Sequence, residues 1–508
     1  MTNIAQRLDN MIVAPDTWIE RGSRLKIVKI SIVLFWFVML GLLVERSYIR
    51  PTPVSALDAA AEEGVKSGDE WFGIYQHGRK IGYAHTRVIR EGNAYHIYEE
   101  SEMDILVLGS VQRVKTVINS YATKNLILKY FDFSMKSDYT DMLIKGAVLG
   151  NELVLDIETA GQTRKEHIRL KEQPYLSPNI KPAVILQGLE QGRKYHFPMF
   201  NPATLSTEDA YISIEAVERI KVGDREETVY KLKEEFQGME AVSWLSQDGW
   251  TLKEESPLGY VLLKETMQEA MKRDKQGPAV DIISFTSIPS NKIDNSSGAV
   301  FLKARLNGVR LDGYELSAGR QRLIKDIIEV IAEQPAASYR LPYSGSDMAA
   351  HLAPSGFVQS DDRGIKEQAR RIIGKEVDAV QAAKKLSEWV YNSIHKQPVV
   401  SIPSAVEILK QRVGDCNEHT TLYTALARSI GLPTRMAVGI VYMENGFYYH
   451  AWPEVWLGAW VAVDPTLNQF PADATHIRFV TGGLDRQTEI LRIVGKLRVE
   501  VLEYDQAR

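Results

Sequence analysis

The chain divides by its patterns of apolar and polar positions. Residues 30–44 are uncharged and apolar apart from Ser31 and Gly41, and Ile27 and Val28 extend the run past Lys29. That length is close to the lower limit of about 17 residues for a membrane-spanning helix. Residues 71–264 read instead as short alternating segments. They are punctuated by turn residues at Gly78, Gly92-Asn93, Gly223-Asp224, Asp248-Gly249 and Pro257-Leu258-Gly259. A period of two with frequent local turns predicts a large antiparallel sheet or barrel-like module. Residues 301–309 continue as strand, and 321–331 read as an amphipathic helix. Residues 343–364, rich in Ser, Gly, Asp and Pro, form the clearest linker.

Beyond that linker the period changes. Val377, Val380, Leu386, Trp389, Val390 and Ile394 make a helical stripe in which Trp389 packs as a core residue. Ser404 and Glu407 form a capping-box pattern that starts a short helix ending near Gly414. Leu422, Ala425, Leu426 and Ile430 then recur at helical spacing, with Gly431 and Pro433 to stop the helix. Asp415 with Glu418 caps its start, which places Cys416 in the first turn. Two strands, 435–443 and 447–456, follow around Glu444-Asn445-Gly446. A turn at Leu457-Gly458 leads to a third strand, 459–464. The register that sets His450 directly opposite Asp464 puts both on one face, and a one-residue slip would separate them. Residues 491–504 suggest a final strand. The fold class predicted is α+β.

Composition narrows the setting. Charged residues make up 25% and hydrophobic ones 44%, with acids and bases interspersed and a net charge of -4, so nothing supports nucleic-acid binding. Arg21, Arg24, Lys26 and Lys29 precede the N-terminal apolar run, which predicts a cytoplasmic N-terminus and everything after the run outside. The nearest small-residue site, Ala59-Ala60-Ala61, lies too far beyond the run for signal cleavage, so the run reads as an uncleaved anchor. The expected organisation is a cytoplasmic tail (1–25), a transmembrane anchor (26–46), a linker (47–70), a β-rich module with a junction region (71–345) and a C-terminal domain (346–508). The one cysteine cannot form an internal disulfide. Exported domains without disulfides suit a bacterial inner membrane, with the domains on the periplasmic side.

The candidate chemistry lies in the C-terminal domain. Cys416, His450 and Asp464, in that order, are the parts of an activated thiol nucleophile: a thiolate that attacks, an imidazole that manages its proton, and a carboxylate that fixes the imidazole. A helix N-terminus and a nearby imidazole lower a thiol's pKa, which is the expectation for Cys416. His419, one turn on, reads as a solvated or capping residue. His77, His85, His96, His167 and His196 show no metal-ligand spacing. No P-loop, dinucleotide glycine fingerprint, zinc H-E-x-x-H pair or calcium loop is present, so no cofactor or metal is expected.

The runs G-D-C-x-E-H-T from Gly414, A-x-x-R-S-I-G-L-P-T-R from Ala425, H-A-W-P-E-V from His450 and V-D-P-T from Val463 resemble the transglutaminase-like superfamily of papain-like thiol enzymes. The resemblance covers the chain from about Val377 onward. It implies a papain-like fold with Cys416 as nucleophile, His450 as base and Asp464 as its orienting partner. The implied activity is attack on an amide of a protein or peptide substrate in the cell envelope, through a thioester acyl-enzyme that passes to water or an amine. The superfamily also contains inactive members, so a binding or scaffold protein is the alternative.

Overall fold

The computed structural model describes residues 65–507, apart from 108, 223–224, 237–238, 257, 274–280, 282–286, 338, 403 and 494. The expected tail and anchor lie outside the described residues, among which no helix is long and apolar enough to cross a membrane. The described chain is α+β and dominated by antiparallel sheet.

Residues 68–265 form one 14-stranded sheet. The first eight strands, Gly68–Gln76 through Gln162–Arg169, pair each with the next, and the last six, Lys194–Asn201 through Tyr260–Glu265, do the same. The first strand then pairs with the last, Trp71 opposite Glu265, and joins both runs. Alternation builds this sheet. In Glu152–Thr159 the fully buried Leu153, Leu155 and Ile157 alternate with more accessible neighbours, between turns at Gly150 and Gly161 with φ of 65° and 77°. Helix α1 (Ser177–Gln187) packs Ile180, Ala183 and Val184 against Tyr195, Phe197, Ile212 and Leu245 of the sheet.

The C-terminal region has a five-stranded sheet at its centre: β1 (Ser287–Pro289), β2 (Thr434–Met443), β3 (Gly446–Trp456), β4 (Trp460–Ala462) and β5 (Ile477–Thr481). β3 is flanked by β2 along its length, by β1 at one end and by β4 at the other, while β5 pairs with β2. On one face lie α2 (Arg363–Ile373), α3 (Ala379–Ser393), α4 (Ala405–Gln411) and α5 (Cys416–Ser429). Leu386, Val390, Ile408, Leu422 and Leu426 bury there with Val455, Val461 and Val463. Each such side chain contributes about 1.5–3 kcal/mol when fully buried. On the other face Val438, Ile440, Phe447 and Phe479 pack on Leu302, Ile328, Val330 and Val499 of a second sheet, made by Ala299–Asn307, Gln321–Ile324, Ile327–Ile331 and Arg498–Gln506.

Two local expectations are corrected. Residues 321–331 are a hairpin, not a helix: Lys325 turns the chain at φ 59°, and Ile328 and Val330 bury while Ile324 and Ile331 face out. The period-two component of that stretch outweighed its helical one. The second concerns α4, which starts after Ser404 as expected, but Ser404 makes no side-chain cap. Its hydroxyl instead accepts from Gln359 Nε2 at 3.1 Å.

The large sheet reaches the chain just before α5. Gln112 of the sheet donates to the carbonyl of Pro398 and accepts from the Val400 N–H at 2.8 Å, and Ser137 donates to the Val400 carbonyl at 3.0 Å. Glu407 of α4 accepts from Thr159 at 3.2 Å.

Candidate active site

α5 begins where local chemistry says it should. The Asp415 carboxylate accepts from the Asn417 N–H at 3.0 Å, and Glu418 Oε2 accepts from the Asp415 N–H at 2.8 Å, a complete capping box. Ser401 Oγ donates to the other Glu418 oxygen. Gly414 leaves room for this: a Cβ there would lie 2.3 Å from the Cβ of Glu418. Cys416 is therefore the first residue of the helix, half-buried, with the backbone N–H of Ala451 on β3 directed at its sulfur.

The expected depression of the thiol is reversed. Burial pushes Cys416 well above its ordinary value, and the charges of Asp415, Glu418 and Asp464 push the same way, against the single Ala451 N–H. A helix N-terminus favours a thiolate, but here its cap is two carboxylates. The surroundings therefore push the thiol up and not down.

His450 stands on β3 opposite Gly439 of β2. Gly439 is required there by close approach, since a Cβ would lie 1.9 Å from the carbonyl oxygen of Ile477 on β5. The strand register differs from expectation by two residues. Glu454 pairs with Ala462, so Asp464 lies past the end of β4 and not directly opposite His450. A two-residue shift preserves the face. His450 Nε2 meets Asp464 Oδ2 at 2.7 Å, with both residues buried. The Cys416 sulfur lies against the next residue on β3, Ala451.

Asp464 is held from every side. Oδ1 accepts from the N–H groups of Thr466 and Leu467 at 2.7 and 3.0 Å, and the backbone pairs with Gln469 in both directions. Burial alone would raise its carboxyl, but His450 and a second histidine hold it well below the usual range. That second residue is His476, fully buried just before β5. Its Nε2 meets the same Oδ2 at 3.0 Å, and its Nδ1 meets Asp473 Oδ1 at 3.1 Å. Burial opposes its charge, yet the flanking carboxylates of Asp473 and Asp464 raise it to about 9. His476 escaped the sequence reading because β5 brings it in; the Asp473 to His476 spacing was its only trace.

His450, Asp464 and His476 are close enough to hold a metal ion. Both imidazoles, however, direct Nε2 at one carboxylate oxygen at hydrogen-bond distance, which suits protons and not a shared cation. His419, expected to be solvated or capping, is fully buried with Nδ1 2.6 Å from the Asp415 carbonyl, because α5 is enclosed on all sides. Burial depresses its imidazole. Trp389 is half-buried under the Arg412 guanidinium, 4.6 Å from the ring centre.

The structure thus places Cys416 at a helix start against Ala451, the residue after His450, and bonds His450 to buried Asp464. Residues 366–465, which carry all three, match the model of the transglutaminase-like superfamily, and this segment is a domain of that superfamily. No curated protein matches the chain. Among solved structures, a candidate cysteine protease from Cytophaga hutchinsonii is similar at 16% identity and a TM-score of 0.28, over 41% of this chain and 90% of its own. The beta-barrel-like protein of DUF1849 from Brucella abortus is similar at 8% identity and a TM-score of 0.30, over 40% of this chain and 96% of its own. Superpositions this partial define neither the fold nor the chemistry of this chain.

Proposed function

We propose that the chain is a thiol enzyme that cleaves or transfers at amide bonds through a thioester on Cys416. The observation that carries the reading is the bond from His450 Nε2 to buried Asp464, with Cys416 at a helix start against Ala451, the next residue on the strand. In the first step His450 accepts the thiol proton as Sγ bonds to the carbonyl carbon, and the C=O electrons move to oxygen. The first-turn N–H of Cys416 is the natural donor to that oxyanion, since it has no partner within the helix. On collapse the C–N bond breaks and His450 returns its proton to the leaving amine. Water or a second amine then attacks the thioester.

The upward push on the half-buried thiol favours a second reading, a scaffold that keeps the fold without the chemistry. Incubating wild type and Cys416→Ala with envelope extract and a fluorescent primary amine separates them. Label incorporated only by wild type marks a transferase, and new amino termini without label mark a peptidase. Neither product from wild type would support the scaffold.

The apolar run at 30–44 and its basic flank support an inner-membrane anchor, with the described domains on the periplasmic side. Reporter fusions after Ser67 should be active only outside the cytoplasm. A mature chain starting beyond Val44 would refute the anchor.

A further inference from the structure

His476 has two ring nitrogens and only acceptors around them. Nε2 faces Asp464 Oδ2 at 3.0 Å, and Nδ1 faces Asp473 Oδ1 at 3.1 Å and the Asp473 carbonyl at 3.3 Å. Neither carboxylate has a proton to lend. Asp464 is saturated by Thr466, Leu467 and His450, while Asp473 accepts from the Thr475 N–H and hydroxyl at 2.8 and 2.6 Å and from Gln469 Nε2 at 2.7 Å. Satisfying both contacts requires a proton on each nitrogen, and so a cation. Asp464 is thereby shared between two imidazoles whose ring centres are 5.7 Å apart.

Resting on the thiol-base reading above, we propose that His476 is a positioning residue, a fixed counter-cation that holds Asp464 for His450 and limits the negative charge His450 faces. During attack on the substrate, His450 takes its proton from Cys416. The raised titration of His476 and of the Cys416 thiol agrees with this. Asp464 also faces Cys416 and His419 of α5, and Asp473 neighbours Arg320, whose guanidinium ends on the carbonyls of Ala472 and Asp473 and lies 3.3 Å from Glu333.

The consequence runs against intuition. Replacing His476 by glutamine keeps a donor toward Asp464 and removes the positive charge. The full charge of Asp464 then falls on His450, which draws the thiol proton and leaves a thiolate. A unit charge about 6 Å away at an effective dielectric of about 20 moves a titration by about two pH units. His476→Gln should therefore gain iodoacetamide reactivity at pH 6.5 over wild type, by no more than the about 100-fold of that two-unit shift, because the unmasked Asp464 also opposes the thiolate. The wild-type rate should rise only above the ordinary thiol range, about 8.5. The gain should vanish in the His450→Gln/His476→Gln double variant.

The full chain, labelled with ¹⁵N-histidine, gives a reading that needs no variant to react. His476, assigned by its loss in His476→Gln, should show two protonated ring nitrogens at pH 7.5. A single protonated nitrogen overturns the proposal. So does a His476→Gln alkylation profile of wild-type shape, which would make the residue structural only. A gain that survives the double variant would instead refute the thiol-base reading, whatever the His476 signals show.

Discussion

If His476 is a buried imidazolium, the protein loses stability as the pH rises from 6 to 9. Its folded titration is raised to about 9, against about 6.5 for an unperturbed histidine. A raised group contributes stability that is fully present below the unfolded value and is lost as pH climbs through the folded one. The difference corresponds to about 3 kcal/mol, and the fully buried ring calls for no discount for solvent screening. Asp464 and Asp473 are both held low, so their contributions disappear only under acid and stay outside this window. Cys416, pushed up by burial, adds its own loss once an unfolded thiol ionises, above about 8.5. His476→Gln would change that term and the titration of His450 as well, so the comparison is made in a Cys416→Ala/His450→Gln background, where both are absent. Urea unfolding at pH 6.0, 7.5 and 9.0, followed by tryptophan fluorescence, should show the variant much less stable at pH 6.0. The gap should close by about 3 kcal/mol at pH 9.0. Parallel curves for the two proteins would refute the buried cation.

Two further substitutions test the scaffold of the site. Arg478→Met removes one of the two arginines on buried Glu454, bonded at 2.7 Å, and also the donor to the Ala318 carbonyl at 2.9 Å. Because Arg435 stays on Glu454, the loss should fall near the low end for broken buried pairs, about 3 kcal/mol by urea titration. A loss below about 0.5 kcal/mol, the usual range for surface changes, would show that Arg435 suffices. Gly439→Ala drives a Cβ against backbone atoms of β5 that cannot rotate away, so about 3 kcal/mol should be lost. His476 should also show weaker protection in histidine-labelled spectra, and an unchanged spectrum and stability would contradict the close approach.

The readable features were those set within one turn or one hairpin. Asp415 and Glu418 cap α5 as their spacing says, and the β2–β3 hairpin follows from its turn residues. The face shared by His450 and Asp464 was legible because parity survives a two-residue shift, although the register was not. What strands bring from a distance was illegible. His476 reaches Asp464 through the pairing of β5 with β2, and the carboxylates that reverse the thiol's titration include Asp464 from beyond β4. Residues 321–331 failed differently: isoleucines at mixed spacing satisfy both periods, and the core under Ile328 and Val330 chose the strand.

The central claim is that Cys416 forms a thioester under the control of His450 and Asp464. Acid quenching of the full chain after brief exposure to envelope extract, then mass spectrometry of the Cys416 peptide, tests it most directly. A hydroxylamine-sensitive acyl adduct on Cys416 is expected in wild type, much reduced in Asp464→Asn and absent in His450→Gln. A Cys416 peptide that stays unmodified in wild type, or is modified equally in His450→Gln, would contradict it.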